Sequence, residues 1–566
     1  MVQPRSLLFT TALAVALSSP FVVAGPVQKD GIAVPPNMAG NRDAVKQIFM
    51  DSYEAYKQDA WGHDDLAPLS KGFVDSRNGW GATIVDGMST MSIMGLDNYL
   101  GDAIKFASQI DFSKSKTSDS VSVFETTIRY IGGLLSTYEL SGRKHPELVD
   151  KAKEVADKLA IAWVGDNDIP FGHINFGNNA PDKQNSNIAE AGTLTLEWAT
   201  LSKYTGDDKY RNLAEKAFRR IATNPSPLPG LPAQGIDPNT GSPVGGYVTW
   251  GGGSDSYFEY LIKYARLNNT GEALWADTWK LAVDSSIQTL LKKSTVGDHS
   301  YLTDYDSEKR NVYVSSHLAC FHGGNWLLGG QLLRNQTVVD VALQLVDACW
   351  NTYASTATGI GPEAFAFASV DGNYTAGSAP TPEQQAFYEL HGFYPTTGAE
   401  YYILRPEVLE SNFYAWRVTG DAKYLDRAAS AVSSFQKYLK APVAYAGIQN
   451  VNDVNSGKFN DMESFWFAEV LKYLYLTFDD PSHISLDEWV FNTEAHPFQI
   501  PPAKGAYGTP SGQTPPSPSQ QHPFTPTQAP IPAYSQSPTL PGILHIPEGI
   551  IRSVATGILN IIGFQL

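Results

Sequence analysis

Two glutamates three positions apart follow a proline in LRPEVLES, residues 404–411. Pro406 suits the first position of a helix, so Glu407 and Glu410 fall in the first turn on neighbouring faces. Carboxylates there offset the helix macrodipole, and that alone explains most such pairs. The same situation recurs along the chain, however. Glu125 lies 17 residues before Gly142, Glu190 16 before Gly206 and Asp255 16 before Gly271. His317 lies 18 before Asn335 and Glu407 13 before Gly420. Equivalent positions at successive helix starts put Glu125, Glu190, Asp255, His317 and Glu407 around one mouth. Crowded carboxylates raise one another's pKa and can divide acid and base roles between them. Glycoside hydrolysis needs that division, with one carboxyl protonating the leaving oxygen and one carboxylate activating water or attacking directly. The same ring suits a hard cation such as Ca²⁺. Arg129, four residues after Glu125 in FETTIRY, shares its helical face and is placed to pair with it or to orient it. Zinc is poorly supported, because His317, His322 and His496 lack H-E-x-x-H spacing. No G-x-S-x-G, Walker A or Rossmann glycine pattern is present.

The elements that must hold this ring are helix hairpins. LLSTYELSGRKHPELVDKA, WATLSKYTGDDKYRNLAEKA, YLIKYARLNNTGEALWADTW, LLGGQLLRNQTVVDVALQLV and FYAWRVTGDAKYLDRAA share one plan: a helix, a turn and a second helix. Their turn residues, Gly142, Gly206, Gly271, Asn335 and Gly420, are spaced 64, 65, 64 and 85 apart. Gly or Asn is expected to end the first helix in a left-handed conformation, and the Asp or Glu that often follows to help start the second. The unit is longer than the usual solenoid repeats and predicts hairpins arranged around an axis, inner and outer helices alternating, with an open superhelix as the competing arrangement.

Composition narrows the partners. With 41 basic and 58 acidic residues the net charge is -17, which excludes a basic nucleic-acid face. Twenty-eight Tyr and 12 Trp suit neutral polar ligands such as sugars. The first 24 residues have a basic start, an apolar run from Ser6 to Leu17 and small residues before Gly25, the pattern of a secretory signal peptide. That predicts a protein of the secretory pathway, secreted or in the ER–Golgi lumen. The two cysteines, Cys320 and Cys349, are then expected to pair, contributing roughly 3 kcal/mol. Asn268, Asn335 and Asn373 head N-x-[ST] sequons. Thirteen of the 36 prolines fall between Pro501 and Pro547, so residues 499–547 are expected to form a disordered linker. Residues 548–566 close the chain with an apolar segment at helical spacing, a candidate for membrane-surface or partner contact.

These residues together give the chain a recognisable likeness. From about Asn41 to Phe498 it resembles glycoside hydrolase family 47, the class I α-1,2-mannosidases, and in particular the secreted filamentous-fungal members. The likeness runs through SRNGWGATIVDGMSTMSIMGL, FETTIRYIGGLL, GGGSDSYFEYLIK, SSHLACFHGGNWLLGG, GIGPEAF, YYILRPEVLESNFYAWRVTGD, ESFWFAEVLKYLYL and FNTEAHPF, in family order. It implies an all-α (α/α)7 barrel spanning residues 25–498, and an inverting hydrolase, a monomer, trimming α-1,2-linked mannose from high-mannose N-glycans and N-glycoproteins. Glu125 matches the family's general acid, Glu407 its proposed base, and Asp255 a third catalytic carboxylate that is an alternative acid. Arg129, Glu190, Glu259, His317, Glu363, Glu410, Glu463 and Glu494 match pocket positions. Thr493 matches the protein ligand of a Ca²⁺ ion, and Cys320 and Cys349 match the family's disulfide. Ser89 stands where an acid is common and His322 where aspartate is frequent. Gly253 stands where enzymes that remove a single mannose carry arginine, which predicts an open pocket and broader trimming. The alternative is a glycan-binding, quality-control relative of the same fold with weak or no catalysis; retained Glu125, Asp255, Glu407 and Thr493 argue against it. A purely structural helical scaffold would leave the carboxylate ring unexplained.

Overall fold

Inner and outer helices differ in sequence as a double ring requires. Pro146–Leu159 is amphipathic and buries Leu148, Val149, Ala152, Val155, Ala156 and Leu159 along one stripe, as a helix facing a core on one side must. Phe321–Leu332, FHGGNWLLGGQL, buries every residue except Gln331, so it needs neighbours all round. The computed structural model describes residues 25–509 apart from 118–119 and 270–271. In chain order its principal helices are α1 Ala39–Asp59, α2 Ala82–Met94, α3 Asp97–Ala107, α4 Gly132–Leu140 and α5 Pro146–Leu159. Then come α6 Thr195–Thr205, α7 Lys209–Thr223, α8 Asp255–Asn268, α9 Leu274–Thr289 and α10 Phe321–Leu332. The last are α11 Gln336–Ala354, α12 Glu407–Thr419, α13 Lys423–Tyr438 and α14 Leu471–Phe478.

The even-numbered helices α2, α4, α6, α8, α10, α12 and α14 each pack on the next, and α14 returns to α2, closing the inner ring. Around it α3, α5, α7, α9, α11 and α13 each pack on the inner helix that precedes them, while α1 packs on α14. This is the (α/α)7 barrel. Small residues allow the close approach: a Cβ added at Gly329 of α10 would overlap the Trp279 ring of α9. The inner helices begin beside short antiparallel hairpins, among them Asp65–Ala67 with Gly72–Val74, and Gly235–Asp237 with Ser242–Val244. The opposite end is plugged by the hairpin Trp489–Phe491 with Pro497–Gln499. Its base meets the end of α4, where Arg143 donates to Gln499 (3.4 Å). Its tip meets the segment that starts the same helix, with Asn492 Nδ2 donating to the Ile128 carbonyl (2.9 Å). The hairpin therefore threads the barrel.

Gly142, Gly206 and Gly420 take the expected left-handed turns. Two turns differ. Gly271 lies outside the described residues, and α8 already ends with Asn269 left-handed at φ 55°. Asn335 has φ -102° and caps α11 instead, its side chain accepting from Val338 N, while Arg334 makes the left-handed turn. Helix α10 stops at Leu332, so the reversal comes before Asn335, and its side chain serves the next helix's orphan N–H groups.

The Cys320–Cys349 disulfide is present, with Cα atoms 5.9 Å apart, tying the entry of α10 to α11. The domain boundary set at 498 falls short. Gln499 ends the plug strand, and the chain then packs on the barrel as far as Thr509. Tyr507 is buried and donates to Asn269 Oδ1, because the barrel end offers an apolar seat and free acceptors. The signal-peptide residues 1–24, the linker beyond 509 and the segment 548–566 lie outside the described residues. Of the sequons, Asn373 is exposed, Asn335 is committed as a cap, and Asn268 Nδ2 donates to both Glu215 and Tyr264.

Candidate active site

The short turns that lead into α4 and α6, and the first residues of α8, α10 and α12, line one cavity at the hairpin end of the barrel. Ser122 caps the turn bearing Glu125, accepting from its N–H (3.2 Å). Asn187 does the same for Glu190 (2.9 Å). Asp255 opens α8 and accepts from Ser256 N (2.7 Å). Helix α12 begins at Glu407 with Pro406 as its cap, one residue later than expected. The plug tip adds Thr493 and Glu494 from the floor. The cavity wall contains Glu125, Glu190, Asp255, Glu259, Glu407, Glu410, Glu469 and Glu494, with Arg129 and Arg405 as its only cations among the described residues.

Within this wall the carboxylates divide. Burial opposes the charge on Glu407, but the His317 Nδ1 bond (2.6 Å) and nearby Arg405 overcome it and hold the carboxyl below its ordinary range. His317 is itself braced by Tyr353 OH (2.7 Å). Glu125 is likewise held low against burial, by Arg129 (Nε–Oε2 2.8 Å) and Arg77 (Nε–Oε2 3.4 Å). Asp255 goes the other way. Burial, with the charges of Glu259 and Glu407, pushes it up to about 7. Burial raises Glu410 to about 8, and Glu469 well above its ordinary value with Glu494, Glu407 and Glu410 adding to the effect. One wall thus holds carboxylates that keep their proton near neutrality beside others that do not.

Of the residues expected at the site, Glu125, Arg129, Glu190, Asp255, Glu259, Glu407, Glu410, Thr493 and Glu494 line the cavity. Three stand behind it. His317 backs Glu407, Glu363 grips Arg405 with both oxygens (2.7 and 2.8 Å), and Glu463 pairs with Arg77 (3.3 Å). Four contributors were not anticipated: Glu469, Arg405, Arg77 and Asp86. Glu469 rides a π turn, Trp466–Val470, and Arg129 another, Thr126–Ile131. Such turns re-aim a side chain within a helix and frequently sit at functional sites. The charge inside the aromatic run ESFWFAEV was the available signal for Glu469. Arg129 also bonds Glu494 and lies 3.5 Å from Asp86, so one guanidinium joins helix wall, helix interior and floor. Ser89 fills its position by bonding His496 Nδ1 (2.9 Å), and buried His322 is held neutral, its pKa pushed down to about 3 by desolvation.

The floor fits a hard divalent cation. Thr493 is partly open to the cavity, and its hydroxyl makes no hydrogen bond among the described residues. Eight carboxyl groups line the cavity, an oxygen-rich surround of the kind a hard cation takes. No three His, Cys, Asp or Glu side chains converge as a direct ligand set among the described residues. The donors would be Thr493 oxygen and water held by the surrounding carboxylates.

Likeness to known proteins extends over most of the chain. The model of glycosyl hydrolase family 47 matches residues 48–500. A probable mannosyl-oligosaccharide α-1,2-mannosidase 1B of Aspergillus clavatus is 42% identical over 484 residues, covering 81% of this chain and 92% of that protein. The mannosyl-oligosaccharide α-1,2-mannosidase 1B of Aspergillus oryzae is 40% identical over 481 residues, with the same coverage. The solved α-1,2-mannosidase from Trichoderma reesei superposes with a TM-score of 0.79 at 38% identity, covering 83% of this chain and all of that one.

Proposed function

The chain belongs to glycosyl hydrolase family 47, and from that premise we propose how its carboxylates share the reaction. It hydrolyses terminal α-1,2-linked mannose from high-mannose N-glycans, as an enzyme of N-glycan processing. The observation that carries the division of roles is the difference in partners across one wall. Glu407 is bonded by His317, and Glu125 is held by Arg129 and Arg77. Asp255 accepts only from Ser256 among the described residues, and desolvation with the charges of Glu259 and Glu407 favours its protonated form. Asp255 gives its proton to the leaving glycosidic oxygen as the C1–O bond breaks. Glu407, ionised and aimed by His317, takes a proton from the water whose oxygen attacks C1 on the opposite face, so the anomeric configuration inverts. The family likeness gives Glu125 the donor's part. Clamped between two guanidiniums it fits better as an anion that steadies the positive charge growing on the sugar ring. Glu190, Glu259, Glu410, Glu469 and Glu494 hold sugar hydroxyls and ordered water.

Thr493 and those carboxylate-held waters would hold Ca²⁺, which when bound supplies positive charge to vicinal hydroxyls of the terminal mannose. The first 24 residues direct the chain into the secretory pathway, where Asn373 is the sequon best presented for a glycan. No helix among the described residues is long and apolar enough to cross a membrane.

Incubation with a Man9 glycan, following free mannose and its anomer by NMR, tests this reading. Wild type should release β-mannose first, and a calcium chelator should suppress release reversibly. Glu407→Gln and Asp255→Asn should each lower kcat by about 10² to 10⁴-fold. Unchanged release from either variant, or α-mannose as first product, would overturn the assignment.

A further inference from the structure

Between the first hairpin and α2 the chain reads SRNGWG, and this loop wraps one buried carboxylate. Asp64 is fully buried and takes five donors. Its Oδ2 accepts from Arg77 N and Gly79 N, both at 2.7 Å. Its Oδ1 accepts from Gly81 N (2.9 Å), Ala82 N (3.0 Å) and the Tyr130 hydroxyl (3.1 Å). The loop can close so tightly because Asn78, Gly79 and Gly81 all have φ near +70 to +85°. At Gly81 a Cβ would stand 2.9 Å from the Phe106 ring. What the loop delivers is Arg77, whose side chain lies 3.4 Å from Glu125 and 3.3 Å from Glu463. Tyr130, the fifth donor, is also 3.2 Å from the Arg77 carbonyl and sits next to Arg129, the other guanidinium on Glu125.

We propose that Asp64 is a positioning residue for the hydrolytic site, holding the Arg77 loop against the Arg129 turn so that two guanidiniums close on Glu125. This rests on the catalytic reading of Glu125 given above. A carboxylate suits the task because every donor it meets is an N–H or O–H, and an amide would point its own N–H groups at them. The charges that face Glu125 are Arg77 and Arg129, opposed by Asp86, Glu190 and Glu494. Losing the hold on Arg77 leaves Arg129 as the principal counter-charge and makes Glu125 easier to protonate.

The pH dependence of kcat/KM on a Man9 glycan tests the proposal in Asp64→Asn, Arg77→Met, the double variant and Tyr130→Phe. Circular dichroism and thermal melts count the folded fraction. In Asp64→Asn and in Arg77→Met the acid limb should move up by about one pH unit. The double variant should be no worse than Arg77→Met alone, since Asp64 acts through Arg77. Tyr130→Phe, which leaves the four backbone donors in place, should show a smaller shift in the same direction and serves if Asp64→Asn does not fold. A shift of the basic limb instead would keep Asp64 in this role and return the donor's part to Glu125. Unmoved limbs in folded Arg77→Met and Tyr130→Phe, or additive losses in the double variant, would overturn the proposal.

Discussion

Glu407 is an acid that must stay ionised while deeply buried, and desolvation alone would take that charge away. What keeps it is local: the His317 bond, the Arg405 charge and its place at the start of a helix. Because its folded pKa is depressed, ionised Glu407 contributes stability above its unfolded value. That contribution is lost as pH falls through the folded value. The same inequality governs catalysis, since a base is useful only above its pKa. His317→Gln removes the Nδ1 bond while leaving Arg405, so the pKa of Glu407 should rise. The expected result is an acid limb of kcat/KM moved up by about one pH unit, with the loss in rate greatest at the acid end. A pH–rate profile measures this directly, and a uniform loss at every pH would mean that His317 only packs.

At the scale of elements, specificity belongs to the loop that enters α8. Gly253 lines the cavity in a left-handed conformation, φ +82°, and a Cβ there would stand 2.8 Å from Gln234 Nε2. Gln234 in turn donates to the Gly252 carbonyl (2.8 Å), so a side chain at 253 would have to displace this amide. A bare wall leaves room for more than one branch of the glycan. Time-resolved profiling should therefore show removal continuing past the first mannose, and Gly253→Arg should slow the later removals more than the first. A wild type that stops at the first mannose would refute the open-wall reading. This loop also illustrates what a sequence discloses. The hairpin repeat and the acids Glu125, Glu190, Asp255 and Glu407 near four inner helix starts were legible because both follow the repeat. Glu469, Arg77 and Arg405 were not, because a π turn, a left-handed loop and the residue before Pro406 obey no repeat. His317, expected from spacing, and Glu363 and Glu463, expected from the family likeness, stand one layer behind the wall, since neither kind of reading carries depth.

The whole barrel is finished by chain that lies beyond the matched family region. Past residue 500 the backbone crosses the plugged end, where Arg266 donates to the Pro501 carbonyl (2.7 Å) and Asn269 to that of Pro502 (2.9 Å). Tyr507 buries its ring there, and Thr509 N donates to Asp277 Oδ1 (2.8 Å) at the start of α9. These contacts fasten α8 and α9 at the end opposite the cavity, so they should act on stability and not on chemistry. Burying one tyrosine and satisfying these polar groups contributes about 2 to 4 kcal/mol after the ordering of the segment is discounted. A chain ending after Thr509 should melt with the full-length protein, and one ending after Ile500 should melt several degrees lower. Both should cleave a Man9 glycan at the same kcat/KM at a temperature where they remain folded. The outcome that would defeat this assignment is a shorter chain that melts unchanged, because Arg266, Asn269 and Asp277 would then be equally well served by water.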